Sequence, residues 1–384
     1  EGAGGGDAMQ IAEEQERLGA NISAGGSLDR SAVTLTALSA NLGLSLDLLA
    51  DIVMRPDFTP DDVSRLRDQQ LAAVAAEATQ PNGLAQRALP PIIYGANHPY
   101  GRPLSGLGSA DSVAALDREA LARFHQAWIR PETGRIFVVS DRSLSEVQRA
   151  LETRFGGWRG AAGVAPGAKD FSVAIPDPAP RIVLVDRPQS PQSVIYAGAV
   201  LPIDGNDDTL ALNAANEVLG AGFLSRLNTE IRERRGWSYG LGGAVQLREH
   251  QVPYVITAPV QSDRTGDSIR VLREMIGAFR TNAPVTAAEH TRTINGNIRQ
   301  LPGAYETAAS ILGALRSNDL YDRPDQYWEG VASRYRAMSA ADMDAAGRAV
   351  IDPSRFVWVV VGDASVVRPQ LAGLGLEVEV VQPQ

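Results

Sequence analysis

Residues 353–363, Pro-Ser-Arg-Phe-Val-Trp-Val-Val-Val-Gly-Asp, decide the fold of this chain because an earlier stretch repeats their pattern. Residues 131–141, Pro-Glu-Thr-Gly-Arg-Ile-Phe-Val-Val-Ser-Asp, also run from a proline through an apolar segment to an aspartate, over the same number of positions. Each apolar segment has the composition and length of a buried strand. A helical pattern precedes each proline, marked in the first case by Arg118, Leu121, Phe124, His125 and Trp128 and in the second by Met338, Met343 and Val350.

A second pair of matching stretches lies further upstream in each half of the chain. Leu44 to Gln69 and Ser268 to Arg292 each predict an amphipathic helix, a short turn and a second helix. A shared period of this size indicates two copies of one supersecondary unit. We therefore predict an α+β fold built as a tandem duplication, each copy having a mixed sheet with helices packed on one face.

The boundary between the copies is visible in the composition. Residues 160–180 are rich in Ala, Gly and Pro and lack periodicity, as expected of a linker. We predict a first unit at 1–158, a linker at 159–180 and a second unit at 181–384. The second unit opens with two strand patterns, Arg181 to Val185 and Val194 to Val200, whereas the first begins at a helix, so we expect the first copy to lack its N-terminal strands.

Composition limits the classes of function. The chain has 384 residues, a net charge of -9 and no cysteine. Thiol catalysis, thiolate metal sites and disulfides are excluded. The negative net charge disfavours nucleic acid as a ligand, because binding a phosphate backbone needs clustered Lys and Arg. No apolar run reaches the roughly 20 residues that a membrane-spanning helix needs, so we predict no membrane insertion.

Several motifs together resemble the M16 (pitrilysin-like, inverted-zincin) metallopeptidase family, and the resemblance covers essentially the whole chain. The stretches that carry it in the first half are Gly2 to Gly5, Ile11 to Glu14, Arg65 to Ala73 and His98 to Gly101. In the second half they are Leu219-Gly220, Phe223 to Leu227, Asn228 to Gly240 and Gln261 to Asp263.

The resemblance implies a zinc site that this sequence lacks. Active members are expected to carry His-x-x-Glu-His on one helix and a Glu ligand on a later helix. No His-x-x-Glu-His occurs here, and its expected place falls just before Glu1. The later ligand position matches Ala73, whose methyl group cannot bind zinc. Glu77, one helical turn later, could substitute only if the helix shifted its register. We therefore predict no metal ligands and no cofactor in this chain, and zinc in a partner subunit.

The resemblance also implies a catalytic contribution from the second half. Arg232 and Tyr239 match the Arg and Tyr that the C-terminal half of the family supplies to the zinc site of the other half. A guanidinium and a phenol O–H directed at the carbonyl oxygen would stabilise its negative charge as water attacks. Family members are expected to bind substrate as an added strand at a sheet edge, for which Gly242, Ala244 and Gln246 are the candidates.

These inferences predict the non-metal subunit of a heteromeric M16-like peptidase. Its partner would be a His-x-x-Glu-His-containing homologue, its substrate a peptide, and its location periplasmic or otherwise extracytoplasmic. We do not expect this chain to be active alone. Two alternatives remain open: a structural, assembly or peptide-binding homologue without a catalytic role, and the remainder of a complete zinc endopeptidase whose His-x-x-Glu-His lies upstream. Ala73 argues against the second.

Overall fold

A computed structural model describes residues 2–383, which divide into two compact units. The first unit contains residues 2–75 and 106–170, and the second contains residues 76–105 and 171–383. The spatial division therefore departs from the linear one, because residues 76–105 pack with the second unit. The limits 1–158, 159–180 and 181–384 stay a proposal for the extent of the two copies in sequence.

The first unit consists of helices and one hairpin. Its elements are α1 (Ala8–Leu18), β1 (Asn21–Gly26), β2 (Ser31–Thr36), α2 (Leu42–Met54), α3 (Pro60–Ala78, which continues past residue 75), α5 (Ala110–Ala114), α6 (Arg118–Trp128) and α7 (Leu144–Phe155). The two strands pair antiparallel, with Asn21 opposite Thr36. Capping boxes begin α1 at Asp7 and α7 at Ser143, where side chains bind the free backbone N–H groups of the first turn.

The strand predicted at Ile136 to Val139 is not formed. These residues run as irregular chain between α6 and α7, and the side chains of Ile136 and Val138 are exposed. A strand needs a neighbour to accept and donate its backbone hydrogen bonds, and the described residues place none beside this segment. The apolar pattern is typical of a strand, but a pattern alone does not supply a pairing partner.

The second unit is built around one six-stranded sheet. Its elements are α4 (Pro81–Tyr94), β3 (Arg181–Asp186), β4 (Gln192–Val200), α8 (Leu210–Asn216), α9 (Arg226–Asn228), β5 (Gly242–Val245), β6 (Pro253–Gln261), α10 (Thr265–Thr281), α11 (Ala287–Gln300), α12 (Ala308–Leu320), α13 (Tyr327–Ala337), α14 (Ala340–Val350), β7 (Val357–Gly362), α15 (Ala364–Leu371) and β8 (Glu377–Val381). Two π-helical segments, Glu217–Ala221 and Thr229–Arg234, follow α8 and α9.

The sheet is mixed, which confirms the predicted α+β class. The strand order is β5-β6-β4-β7-β3-β8, with β3 parallel to both β7 and β8 and the remaining pairs antiparallel. Both units also contain an antiparallel hairpin followed by a helix, a turn and a second helix, as the duplication requires. In the first unit this hairpin is β1–β2, and in the second it is β5–β6.

Helices cover both faces of the central strands: α8, α10 and α14, from the second half of the sequence, lie on one face, and α4, from the first half, lies on the other. On one face, Ile195, Ala197 and Trp358 lie in the main core with α8, α10 and α14. On the other face α4 packs against β4 and β7. The reason lies in the sequence of β7, all six of whose residues are buried. A strand without polar alternation needs cover on both sides.

Candidate functional site

Arg232 lies on the π-helical segment that follows α9. Its guanidinium carbon is 4.5 Å from the centre of the Phe223 ring, in cation–π geometry. Among the described residues it forms an ion pair with the adjacent Glu233, at 3.4 Å between Nε and Oε1, and both side chains contact solvent. Such an exposed pair contributes little to fixing a side chain. The Phe223 ring is therefore the main support of the guanidinium.

Tyr239 is presented in the loop that precedes β5. The helical segment ends at Arg234, and the chain turns at Gly236, whose φ of 67° lies in the left-handed region that favours glycine. Ser238 then donates to the Gly240 carbonyl and accepts from the Gly240 N–H, which makes a compact turn around Tyr239. β5 begins only at Gly242.

The side chain of Tyr239 is 89% exposed, the largest exposure among the large apolar and aromatic side chains of residues 2–383. Within that described part of the chain its hydroxyl has no hydrogen-bond partner. A tyrosine that served packing would bury its ring. The phenol is consequently free to donate a hydrogen bond to a group from outside this chain.

The segment that carries Arg232 is anchored to α11 by Arg226. The Arg226 guanidinium donates two hydrogen bonds of 2.7 Å to the Glu289 carboxylate and also binds the carbonyl oxygens of Ala283 and Pro284. Burial acts to raise the pKa of Glu289. The hydrogen bonds from Arg226 and Thr286 outweigh it and lower that pKa to about 2. The pair stays ionised at neutral pH and holds α9 against α11.

The candidate substrate-binding residues Gly242, Ala244 and Gln246 lie on or directly after β5, which is an edge strand. Gln246 donates its backbone N–H to Pro253 on β6, at 3.0 Å. Because strand residues alternate, the backbone groups of Gly242 and Ala244 also face β6. The groups directed to the open edge therefore belong to Gly243 and Val245, one position away from the predicted residues.

Part of this open edge is already occupied by amide side chains. Asn216 donates to the Gly243 carbonyl at 2.8 Å, and Asn228 accepts from the Leu241 N–H at 3.2 Å. Both amides are buried. Within residues 2–383, Val245 is the first outward-facing residue of β5 that no such amide contacts. Sequence patterning could not reveal this, because the blocking amides come from a different part of the chain.

The residues at the implied zinc position do not fit a metal. Ala73 on α3 offers only a methyl group, and the Glu77 carboxylate forms an ion pair with Arg87, both side chains being largely buried. Among residues 2–383, His, Asp and Glu side chains nowhere form a group of three or more that could hold a metal ion. The histidines have other contacts: His98, His125 and His290 bind backbone groups, and His250 packs on Phe171.

None of the helices in residues 2–383 combines the length and the apolar character that crossing a membrane requires.

Comparisons with known protein families match both halves of the chain. The family described as "Insulinase (Peptidase family M16)" matches residues 3–106, and the one described as "Peptidase M16 inactive domain" matches residues 115–297. An uncharacterized zinc protease of Mycobacterium tuberculosis is 28% identical over 284 residues, and one of Mycobacterium leprae is 26% identical over 318 residues. These alignments cover 73% and 82% of this chain, but 63% and 68% of those relatives.

Solved structures with the same fold cover nearly the whole chain. The peptidase M16 inactive domain from Pseudomonas fluorescens superposes with a TM-score of 0.85 at 25% identity, covering 94% of this chain and 86% of that one. A protease from Helicobacter pylori gives a TM-score of 0.85 at 16% identity with the same coverage, which shows the fold alone. From the fold, the family matches and these similarities together, we conclude that the chain belongs to the M16 peptidase family.

Proposed function

We propose that this chain is the non-metal subunit of a two-part M16 peptidase and supplies Arg232 and Tyr239 to a zinc-bearing partner with a His-x-x-Glu-His motif. The observation that carries the proposal is the exposure of Tyr239, whose hydroxyl has no partner among the described residues while its loop is held in a defined turn. The exposed phenol and the guanidinium supported by a ring lie seven positions apart in sequence, and both are suited to bind a group that lies outside the chain.

The chemical role follows from charge. When water attacks a peptide carbonyl, the carbonyl oxygen becomes anionic, and an O–H donor together with a positive guanidinium stabilises it. Loss of one such donor typically lowers the rate roughly 100- to 1000-fold. The Phe223 ring reduces the freedom of the Arg232 guanidinium and so lowers the entropy that must be lost when it binds the oxyanion.

Substrate binding at β5 is part of the proposal. A peptide strand would add beside Val245 and extend past Gln246, with Ala244 exposed on the sheet beside it and Gly242 at the start of the strand. An extracytoplasmic location also belongs to the proposal. It is supported by the absence of cysteine from the chain and by the fold similarity to PqqL of Escherichia coli, which is a periplasmic protease.

The test uses the purified chain, alone and mixed with a His-x-x-Glu-His homologue from the same organism. Cleavage of a quenched fluorescent peptide is measured for wild type, Tyr239→Phe, Arg232→Lys and the control Arg234→Lys. Arg234 lies on the same π-helical segment, is 73% exposed and forms an ion pair with Glu230. We expect cleavage by the mixture but not by the purified chain. Tyr239→Phe and Arg232→Lys should each lower the cleavage rate roughly 100-fold or more, and the control Arg234→Lys should keep full activity.

The other outcomes identify the alternatives. A mixture that is active and equally insensitive to all three substitutions would indicate a structural subunit. If neither the chain nor the mixture cleaves, but the chain binds the peptide, a peptide-binding homologue is favoured. Stoichiometric zinc and cleavage by the chain alone would indicate a complete endopeptidase and contradict the interpretation of Ala73.

A further inference from the structure

Asn228 is a buried amide that connects the two segments carrying Arg232 and Tyr239. Its side chain is at the end of α9 and the residue is 3% exposed. Its Nδ2 donates to the Phe223 carbonyl at 2.7 Å, and its Oδ1 accepts from the Leu241 N–H at 3.2 Å. Because one partner is only an acceptor and the other only a donor, the orientation of this amide is fixed by its contacts.

The Nδ2 bond determines where the Phe223 ring lies. Phe223 belongs to the short loop before α9, and its ring is 62% exposed, so packing does little to hold it. The backbone of that loop is fixed by the bond from Asn228 and by Ser225, which caps α9. The ring in turn lies 4.5 Å from the Arg232 guanidinium. Asn228 therefore acts on Arg232 through the position of Phe223.

The Oδ1 bond determines where the Tyr239 turn lies. Ser238 closes the turn on Gly240, but both of its bonds are internal to the turn. The Leu241 N–H is the next backbone donor, and its bond to Asn228 ties the turn to the end of α9. Without it, the loop from Gly236 to β5 would lose a partly buried attachment close to Tyr239. Buried amides that satisfy two backbone groups at once are costly to replace.

We propose that Asn228 is a positioning residue that sets Arg232 and Tyr239 in one arrangement, each through a different end of the same amide. The inference rests on the proposed function for its catalytic meaning, but the placement itself can be tested without a partner. The two ends of the amide make separable predictions, because Asn228→Asp keeps an oxygen for Leu241 and removes the donor to Phe223.

The test is NMR spectroscopy of the full chain with ¹⁵N-labelled arginine and backbone amides. The Arg232 Nε–H signal, assigned by its loss in Arg232→Lys, should be displaced upfield by the Phe223 ring, and Phe223→Leu supplies its undisplaced position. In Asn228→Asp we expect the Arg232 signal to move to that undisplaced position while the Leu241 amide keeps its slow hydrogen exchange. In Asn228→Ala we expect both the upfield displacement of the Arg232 signal and the slow exchange of the Leu241 amide to be lost.

A merely structural role gives a different pattern. General destabilisation would accelerate Leu241 exchange in both Asn228 variants together. An Arg232 signal that stays at its wild-type position in both variants would overturn the proposal. If neither variant folds, the wild-type protein still decides the matter: the Asn228 side-chain amide protons should exchange far more slowly than those of the exposed Asn206, and equal rates would refute the two buried bonds.

Activity separates this inference from the proposed function. In a mixture with the His-x-x-Glu-His homologue, Asn228→Asp should lower kcat up to about 100-fold, as expected for a misplaced group, with KM little changed. That loss should disappear in an Arg232→Ala background. An equal loss in both backgrounds would refute the positioning of Arg232. If Arg232→Ala and Tyr239→Phe themselves leave the mixture fully active, the proposed function fails, whatever the NMR signals show about placement.

Discussion

The ion pair between Arg226 and Glu289 predicts a specific loss of stability in acid. The pKa of Glu289 is about 2 in the folded chain, against an ordinary value of 4.5. A group with a depressed folded pKa contributes stability above its unfolded pKa, and that contribution is lost as pH falls toward the folded value. The stability that Glu289 contributes is therefore lost between about pH 4.5 and about pH 2.

The magnitude follows from the difference between the two pKa values. A fully shielded carboxylate with these values would contribute about 3 kcal/mol at neutral pH. The Arg226 and Glu289 side chains keep some contact with solvent, at 19% and 15% exposure, so we reduce this to about 1–2 kcal/mol. Glu289→Gln removes the charge but retains a side chain that can accept from Arg226 and from the Thr286 cap.

The assay is urea unfolding from pH 7 to pH 3, followed by tryptophan fluorescence, to which Trp358, fully buried in the second unit, contributes. The free energy of unfolding of the wild type should exceed that of Glu289→Gln by about 1–2 kcal/mol at pH 7, and this difference should shrink as the pH falls. Glu274→Gln, at an exposed position of α10, corrects for the general change in net charge. A difference that is independent of pH, or that grows in acid, would refute the assignment of the pKa to this pair.

Three further predictions concern other contacts. Tyr254→Phe removes a fully buried hydroxyl that donates to the Asn216 amide oxygen at 2.9 Å, and should lower the free energy of unfolding by about 1–3 kcal/mol. The control Tyr239→Phe should change the free energy of unfolding by less than about 0.5 kcal/mol. Equal effects of the two substitutions in urea unfolding would contradict this prediction. Gly198→Ala would bring a Cβ within 2.0 Å of the Tyr254 carbonyl oxygen, so its unfolding midpoint should fall by at least the equivalent of about 1–3 kcal/mol; an unchanged midpoint would be inconsistent with the β4–β6 register. Arg87→Met leaves the Glu77 carboxylate buried without its cation and should lower the free energy of unfolding by about 3–5 kcal/mol. Combining Arg87→Met with Glu77→Gln should recover much of that loss. No recovery in the double variant would contradict a stabilising role of this ion pair.

Sequence reasoning placed most of the elements because their causes are local. The helix–turn–helix stretches at Leu44 to Gln69 and Ser268 to Arg292 appear as α2–α3 and α10–α11. Their apolar periodicity and caps are properties of neighbouring residues, which the sequence shows directly. The strands at Arg181 to Val185 and Phe356 to Val361 appear as β3 and β7 for the same reason.

The errors have a common cause, which is pairing between distant residues. Ile136 to Val139 has the composition of a strand but no strand beside it in the described chain. The backbone groups of β5 that point to the open edge belong to Gly243 and Val245, because the direction of a backbone group depends on its register with β6. The sequence shows which side chains are apolar, but the two-residue alternation of a strand does not show which backbone groups are already hydrogen-bonded.

The sequence by itself determined the family, the duplicated helix and strand patterns, the absence of thiols and the alanine at the implied ligand position. Through resemblance it also offered Arg232 and Tyr239 as candidates. Only the tertiary structure showed that Tyr239 is exposed, that Phe223 supports Arg232 and that Asn228 connects the segments of both. The physical reason is that a side chain's identity is encoded at one position, whereas its exposure and its hydrogen-bond partners depend on residues that folding brings together.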